Sequence, residues 1–378
     1  MSLWSEFNAS SEEQWIKKVL EDSSNKTIQD FHWKTDYGSI NTFSKSLSAL
    51  KSDKKDKLSE IGWNFNEEKN INSQILNRLK DGINSVHIDG INYSDSIFKN
   101  VMNGIINNHI TLSHNASIEE ITSWTDWINS NPNLKGSIRM CLLTKIIEGL
   151  NSDNNSSDLS AYHHHFQSNL NTNLKCIYVE IPSRHLYFKN RSSEIALTGA
   201  HLNECIEIHK KNNIEIPKKI FIKSFLDNSF LENISKLKAI KSVMNQVLKI
   251  HRIKANLIIE TSLNPQILKD QSEDFRILSI TSTAMSSFVG GANSYVFSDS
   301  LLLSKENYWK KLATNIPLIL NEESQINILK DVTEGAHVIE QISFKMANKA
   351  WVILKQIEEN GGLISNFKNS NLRKFIKN

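Results

Sequence analysis

The sequence predicts an α/β fold and, within that class, a (β/α)8 barrel of the TIM type rather than a doubly wound sheet. Eight short strand patterns recur along the chain: IGWNF (61–65), NSVHID (84–89), HITLS (109–113), SIRMCLL (137–143), KCIYVEI (175–181), KIFIKSF (219–225), ANLIIET (255–261) and NSYVF (293–297). Apolar residues at helical spacing lie between them, as at Ile71, Ile75 and Leu79, or Ile97, Val101 and Ile105. A length of 378 residues allows one large barrel or two domains. Eight alternating units in that length fit the barrel better.

Taken in order, SSEEQWIKKVLED opens a helix that Ser10 or Ser11 can cap, with Glu13 or Gln14 closing a capping box. FHWKTDYGSINTF then alternates about a turn at Asp36 to Gly38, as a hairpin or extended arm does. The charge run KSDKKDK (51–57) reads as a solvated linker, so residues 1–55 form an arm and linker and residues 56–378 the barrel. Further helix patterns run through Ile118, Ile121, Trp124 and Ile128; through Ile195, Leu202 and Ile206; and through Leu231, Ile234, Leu237, Val243, Val247 and Ile250. NSDNNSSDLS (151–160) reads as a surface loop. Two amphipathic segments close the chain, one from Trp309 to Leu320 and one from Ile339 to Gly361-Gly362.

Glycine (13) and proline (5) are scarce, so Asn, Asp and Ser must make many turns. The pair Gly290-Gly291 invites a phosphate-loop reading. A phosphate cradle requires strand, glycine loop, helix. Here the order is helix, Gly-Gly, strand, which makes the pair a helix stop.

Net charge is +3, with acids and bases nearly balanced, so a nucleic-acid footprint is absent. Cys141, Cys176 and Cys205 are too few and too scattered for a disulfide framework or a cysteine zinc site. The sequence has no signal-peptide pattern and no membrane-length apolar run. A cytoplasmic protein without a membrane partner is expected. His163-His164-His165 tempts a metal reading, but adjacent side chains diverge, and a polar loop end is the better expectation. Glu322-Glu323 reads as a cap or salt-bridge pair rather than an acid/base pair, and Lys236 and Lys238 as a solvated helix face.

Several strings, in order and spanning nearly the whole chain, resemble the methylmalonyl-CoA mutase family. They are SEEQW…KVLED with WKTDYG, SFLENISKLKA (229–239), TSTAMSSFVGGANS (281–294), NIPLILNEES (315–324), DVTEGAHVIE (331–340) and NKAWVILKQIEENGG (348–362). The resemblance implies a substrate-binding barrel, with adenosylcobalamin held by a separate domain bearing an Asp-x-His-x-x-Gly motif that this sequence lacks. It therefore implies that this chain binds no cofactor and that adenosylcobalamin resides in a partner. Where the family's catalytic large chain reads Ser-Leu-His-Thr-Asn after the last strand, this sequence reads Ser294-Tyr295-Val296-Phe297-Ser298. The large chain's stretch that builds the coenzyme A channel has no counterpart near IGWNFNEEKN, and Ser279 and Val332 replace the family's Arg and Pro.

The resemblance thus implies the small subunit of a heterodimeric mutase: a degenerate barrel without catalytic residues, paired with the large subunit that it stabilises. His185, in IPSRHLYF, stands where the family has its catalytic histidine but lacks the surrounding Gly-Tyr-His-Met-Gln-Glu context. The alternative is a stand-alone acyl-CoA-binding or isomerase barrel that uses His185. A third is a ligand-free homodimeric scaffold. Trp15, Phe31 and Trp33 are the candidate partner-interface residues, because an arm has no core in which to bury them.

Overall fold

A computed structural model describes residues 10–43, 60–65, 70–89, 99–106, 109–115, 127–143, 162, 165–166, 173–181, 190–268, 271–298, 307–326 and 331–368. The expected linker at 51–57, the loop at 151–160, and His163, His164 and His185 lie outside the described residues.

Eight strands form one parallel sheet: β3 (Glu60–Phe65), β4 (Ser85–Asp89), β5 (Thr111–Asn115), β6 (Lys135–Arg139), β7 (Ile177–Glu180), β8 (Lys219–Leu226), β9 (Asn256–Leu263) and β10 (Ser294–Ser298). Their order is β6-β5-β4-β3-β10-β9-β8-β7, and parallel bridges Ile138↔Lys175 and Cys141↔Tyr178 join the two ends, closing the barrel. Each pattern expected from the sequence becomes a strand. HITLS starts two residues later than expected, whereas SIRMCLL starts two earlier and ends at Arg139. Both faces of these strands are covered, so the strands read as apolar runs.

Helices α1 (Glu12–Asp22), α2 (Ile71–Lys80), α3 (Arg191–Lys211), α4 (Phe230–Ile250), α5 (Glu273–Val289), α6 (Asn307–Leu318), α7 (His337–Glu359) and α8 (Gly362–Lys368) accompany the sheet. The turns that return the chain from helix to strand share one hydrogen-bond pattern. After α5 the Gly291 N–H donates to Phe288 O at 3.3 Å and the Ala292 N–H to Ser287 O at 3.1 Å. This is a Schellman cap with Gly291 left-handed at φ +79°, and it confirms the pair as a stop. The same pairing ends α3 and α4, but there Asn213 (φ +53°) and Arg252 (φ +59°) take the left-handed position. Asparagine side chains also complete strand ladders: Asn84 Oδ1 accepts from the Ile61 N–H and Asn293 Oδ1 from the Ile259 N–H.

The arm docks on the barrel's own helices. Ser11 caps α1, its Oγ accepting from the Gln14 N–H at 3.2 Å while Gln14 Oε1 accepts from the Ser11 N–H at 2.9 Å. The hairpin β1 (Trp33–Thr35) and β2 (Gly38–Ile40) lies against α7, where Gln341 accepts from the Asn41 N–H and Lys345 and Lys349 donate to the Ser39 and Asp36 carbonyls. Tyr37 donates to Glu232 at 2.9 Å, and Arg191 holds the other Glu232 oxygen. Ile40 and Phe43 are buried.

The solvated-face reading of Lys236 and Lys238 does not survive. Lys236 is 3% exposed, donates to Phe225 O and pairs with Glu194 at 2.7 Å, while Lys238 pairs with Asp331 at 3.0 Å. α4 is covered by α3, α5 and α7, so residues beside its main apolar stripe are enclosed as well. Removing one partner of a buried pair leaves the other uncompensated. Lys236→Ala is expected to lower unfolding free energy by about 2–4 kcal/mol, read from urea melts, whereas a solvated lysine would change it by under about 0.5 kcal/mol.

Candidate functional site

Residues of alternate parity on the strands meet along the barrel axis, and there they are charged. Glu260 of β9 is 1% exposed, and its carboxylate lies 2.8 Å from the Arg139 guanidinium of β6, itself 3% exposed. The contact is a charge pair without the alignment of a good hydrogen bond, and Glu260 Oε1 has no hydrogen-bond partner. Arg139 donates through Nε to Ser137 at 2.8 Å, and its guanidinium lies over the Tyr178 ring at 4.9 Å and the Phe221 ring at 4.7 Å. Burial alone would raise the Glu260 carboxyl, but Arg139, then His87 and Lys223, outweigh it and hold its pKa at about 2. Burial disfavours the Arg139 charge, and Glu260 more than restores it, so Arg139 stays charged.

His87 of β4 faces the same carboxylate at 3.7 Å and contacts Ser85 Oγ at 2.9 Å. Burial, only partly offset by Glu260, lowers its pKa to about 4, so the ring is neutral at pH 7. Its space is made by Gly62 of β3: a Cβ there would lie 2.9 Å from His87 Nε2 and 3.2 Å from Val296 Cγ2. Val296 therefore also faces the axis, where the catalytic family pattern carries a histidine. Toward the C-terminal ends of the strands Lys223 lies 3.6 Å from Glu180, Tyr178 OH donates to Glu180 at 2.7 Å, and Asn64 donates to Asp89 at 2.6 Å. Burial disfavours the Lys223 charge, but Glu180, Glu260 and Asp89 overcome this and raise its pKa. The axis thus carries the chain's own charges and rings.

None of these axial residues stood out in the sequence. The available signal was a charge inside an otherwise apolar strand, Arg139 in SIRMCLL and Glu260 in ANLIIET. Of the residues singled out from the sequence, His165 is fully buried, packed 4.8 Å from the Phe166 ring, and burial lowers its pKa to about 4. It is a core histidine and not a polar loop end. Among the described residues no group of three His, Cys, Asp or Glu could hold a metal. Glu322 and Glu323 sit exposed in the π-helical turn 319–323. Trp15 is 48% and Trp33 39% exposed, while Trp15 and Phe31 edge onto the buried Phe43 at 4.9 and 5.7 Å.

Fold and axis together define an α/β barrel whose interior, among the described residues, carries ion pairs of its own. A family model described as Methylmalonyl-CoA mutase matches residues 190–378, half of the sequence, and the chain belongs to that family. The "Methylmalonyl-CoA mutase" of Cereibacter sphaeroides is 26% identical over 99 residues, covering 25% of this chain and 14% of that protein. The one of Rhizobium meliloti is 27% identical over 99 residues with the same coverage. Among solved structures, the Yersinia pestis dihydropteroate synthase overlaps 71% of this chain and 94% of its own at 13% identity and a TM-score of 0.42. No helix among the described residues is long and apolar enough to cross a membrane.

Two outcomes test the axis. Arg139→Met leaves Glu260 buried without its countercharge and is expected to cost about 3–5 kcal/mol, whereas adding Glu260→Leu should recover most of that loss in a double-mutant cycle. Additive losses would show that the pair is not coupled.

The second concerns pH. Folded pKa values of about 4 for His87, about 4 for His165 and about 3 for His201, all lowered by burial, lie below the ordinary 6.5. The unfolded chain therefore binds protons that the folded chain refuses as pH falls below 6.5, and stability declines through that window down to about 4. Each histidine contributes up to about 1.4 kcal/mol per pH unit, roughly 3–4 kcal/mol for the three between about pH 7 and 5.5. The Glu358 carboxyl, raised by burial to about 7, binds its proton in the folded state over the same window and returns roughly 1.5 kcal/mol, so urea melts should lose roughly 2 kcal/mol. Equal stability at both values would mean that these rings are not buried and neutral.

Proposed function

We propose that the chain is a non-catalytic barrel subunit of an adenosylcobalamin-dependent methylmalonyl-CoA mutase, which interconverts methylmalonyl-CoA and succinyl-CoA by radical rearrangement. In this reading it stabilises a large catalytic chain. The buried ion pair on the axis carries the reading. An acyl thioester drawn into this barrel would have to part Arg139 from Glu260 and displace the Tyr178 and Phe221 rings, leaving a carboxylate buried without its countercharge. That cost is several kcal/mol before any binding energy is gained.

None of the described histidines stands in an Asp-x-His-x-x-Gly context, and His87, His114, His165, His201 and His209 are buried in the core. The cofactor is accordingly assigned to the partner. The exposed faces of Trp15 and Trp33, on an arm whose hairpin is already fixed to α7, supply a surface for the large chain. Large aromatics anchor interfaces.

The expected outcome of co-expression with a mutase large chain from the same cell is a stable complex. Trp15→Ala and Trp33→Ala should each weaken it by roughly 2 kcal/mol or more. The isolated chain should carry no corrinoid absorption after gel filtration with adenosylcobalamin and should not bind coenzyme A in a calorimetric titration. Retention of the corrinoid at near one equivalent, or binding of coenzyme A by the isolated chain, overturns the reading.

A further inference from the structure

A second feature lies outside the barrel, where the C-terminal halves of α3, α4 and α7 converge on a cavity of about 290 Å³. Its apolar wall comes from Val247, Leu354 and Trp351, and its polar wall from Asn203, His251 and Glu358. The polar wall is a directed hydrogen-bond relay. Lys210 Nζ lies 2.6 Å from His251 Nδ1 and donates to it, so His251 Nε2 carries the proton and donates to Asn203 Oδ1 at 2.6 Å. Asn203 also acts on Glu358, holding its pKa lower than burial alone would. Glu358 borders the cavity next to this relay, and its Oε1 has no hydrogen-bond partner.

The surroundings are short of positive charge. The last turn of α7 contains no basic residue and ends in Glu358 and Glu359, at the pole where the helix dipole favours cations. Glu204 and Glu207 of α3 add further negative charge. Lys355 borders the cavity, but among the described residues no ion pair joins it to Glu358 or Glu359, and Lys210 is engaged by His251 and Glu207. Burial first, and then Glu204 and Glu207, push Glu358 up to about 7, which is the mark of a carboxylate lacking its countercharge.

We propose that this cavity binds a small monocationic amine with an apolar body, its ammonium pairing with the Glu358 carboxylate at the polar wall and its body lying against Trp351, Leu354 and Val247. A neutral ligand would leave the acidic charge unanswered. A dication would meet Lys355 and the apolar wall, which offers no oxygen ligands. A protonated arylalkylamine satisfies both walls, since Trp351 can hold an aromatic ring or the edge of the cation.

The probe is 2-phenylethylamine, titrated calorimetrically into the full chain at about pH 8, with neutral 2-phenylethanol as its isostere. Saturable one-to-one binding of the amine is expected, at least about tenfold tighter than the alcohol. Glu358→Gln should erase that preference without lowering the melting temperature, because it removes a carboxylate that the fold holds without a countercharge. Trp351→Ala should weaken both ligands. Equal affinity of amine and alcohol for the unaltered chain overturns the proposal, as does the absence of saturable amine binding up to about 20 mM; neither result depends on a variant folding.

Discussion

The pairing of Glu260 with Arg139 is the constraint to which the barrel interior answers. A carboxylate taken wholly out of water costs several kcal/mol unless an opposite charge stands against it, and here that charge must cross the barrel from β9 to β6. Everything nearby accommodates the pair. Ser137 takes one guanidinium donor, Tyr178 and Phe221 supply ring faces to the rest, and Gly62 leaves room for a neutral His87 beside the carboxylate. Next to it Lys223, Glu180 and Tyr178 repeat the arrangement. Buried ion pairs add little net stability compared with well-packed apolar side chains, but they penalise any slip of register that would separate them.

That distinction explains what was legible in the sequence. The strands and main helices were, because a buried parallel strand is a short apolar run and a helix over it repeats every three to four residues. The helix stop at Gly290-Gly291 was legible from order alone. The equivalent stops at Asn213 and Arg252 were not, since nothing in an isolated arginine announces a left-handed backbone. The axis was illegible for a different reason. A charge on a strand reads as a solvent-facing position until the closure of the barrel is known, and closure is a property of eight strands together. Lys236 misled in the same way: its neighbours Ile234 and Leu237 mark one face of α4, but three other helices cover α4 on more than that face.

The arm shows how little of an interface sequence can apportion. Aromatic residues ahead of a barrel point to burial against something, and the structure divides that burial. Tyr37 and Ile40 are spent on the chain's own core, with Tyr37 drawn into the Glu232–Arg191 cluster, while Phe43 is buried with Trp15 and Phe31 edging onto it. Trp15 and Trp33 keep much of their surface in water although Phe43 packs beneath Trp15. A large aromatic held in place by a buried neighbour loses little conformational entropy on meeting a partner, which is the property that makes such residues effective anchors.

The match to the mutase family begins at residue 190 and so covers β8, β9 and β10 with their helices, while β3 to β7 precede it. The axial charges straddle that boundary. Glu260 and Lys223 lie in the matched half, whereas Arg139, His87 and Glu180 lie in the other. Packing between helix and strand is satisfied by many apolar combinations, so each half could change its apolar residues independently. The pairs cannot change one side at a time, because losing Arg139 alone would leave Glu260 as an unanswered charge in the centre of the barrel. The matched half and the half that precedes it are therefore coupled by charge on the barrel axis as well as by the apolar core they share.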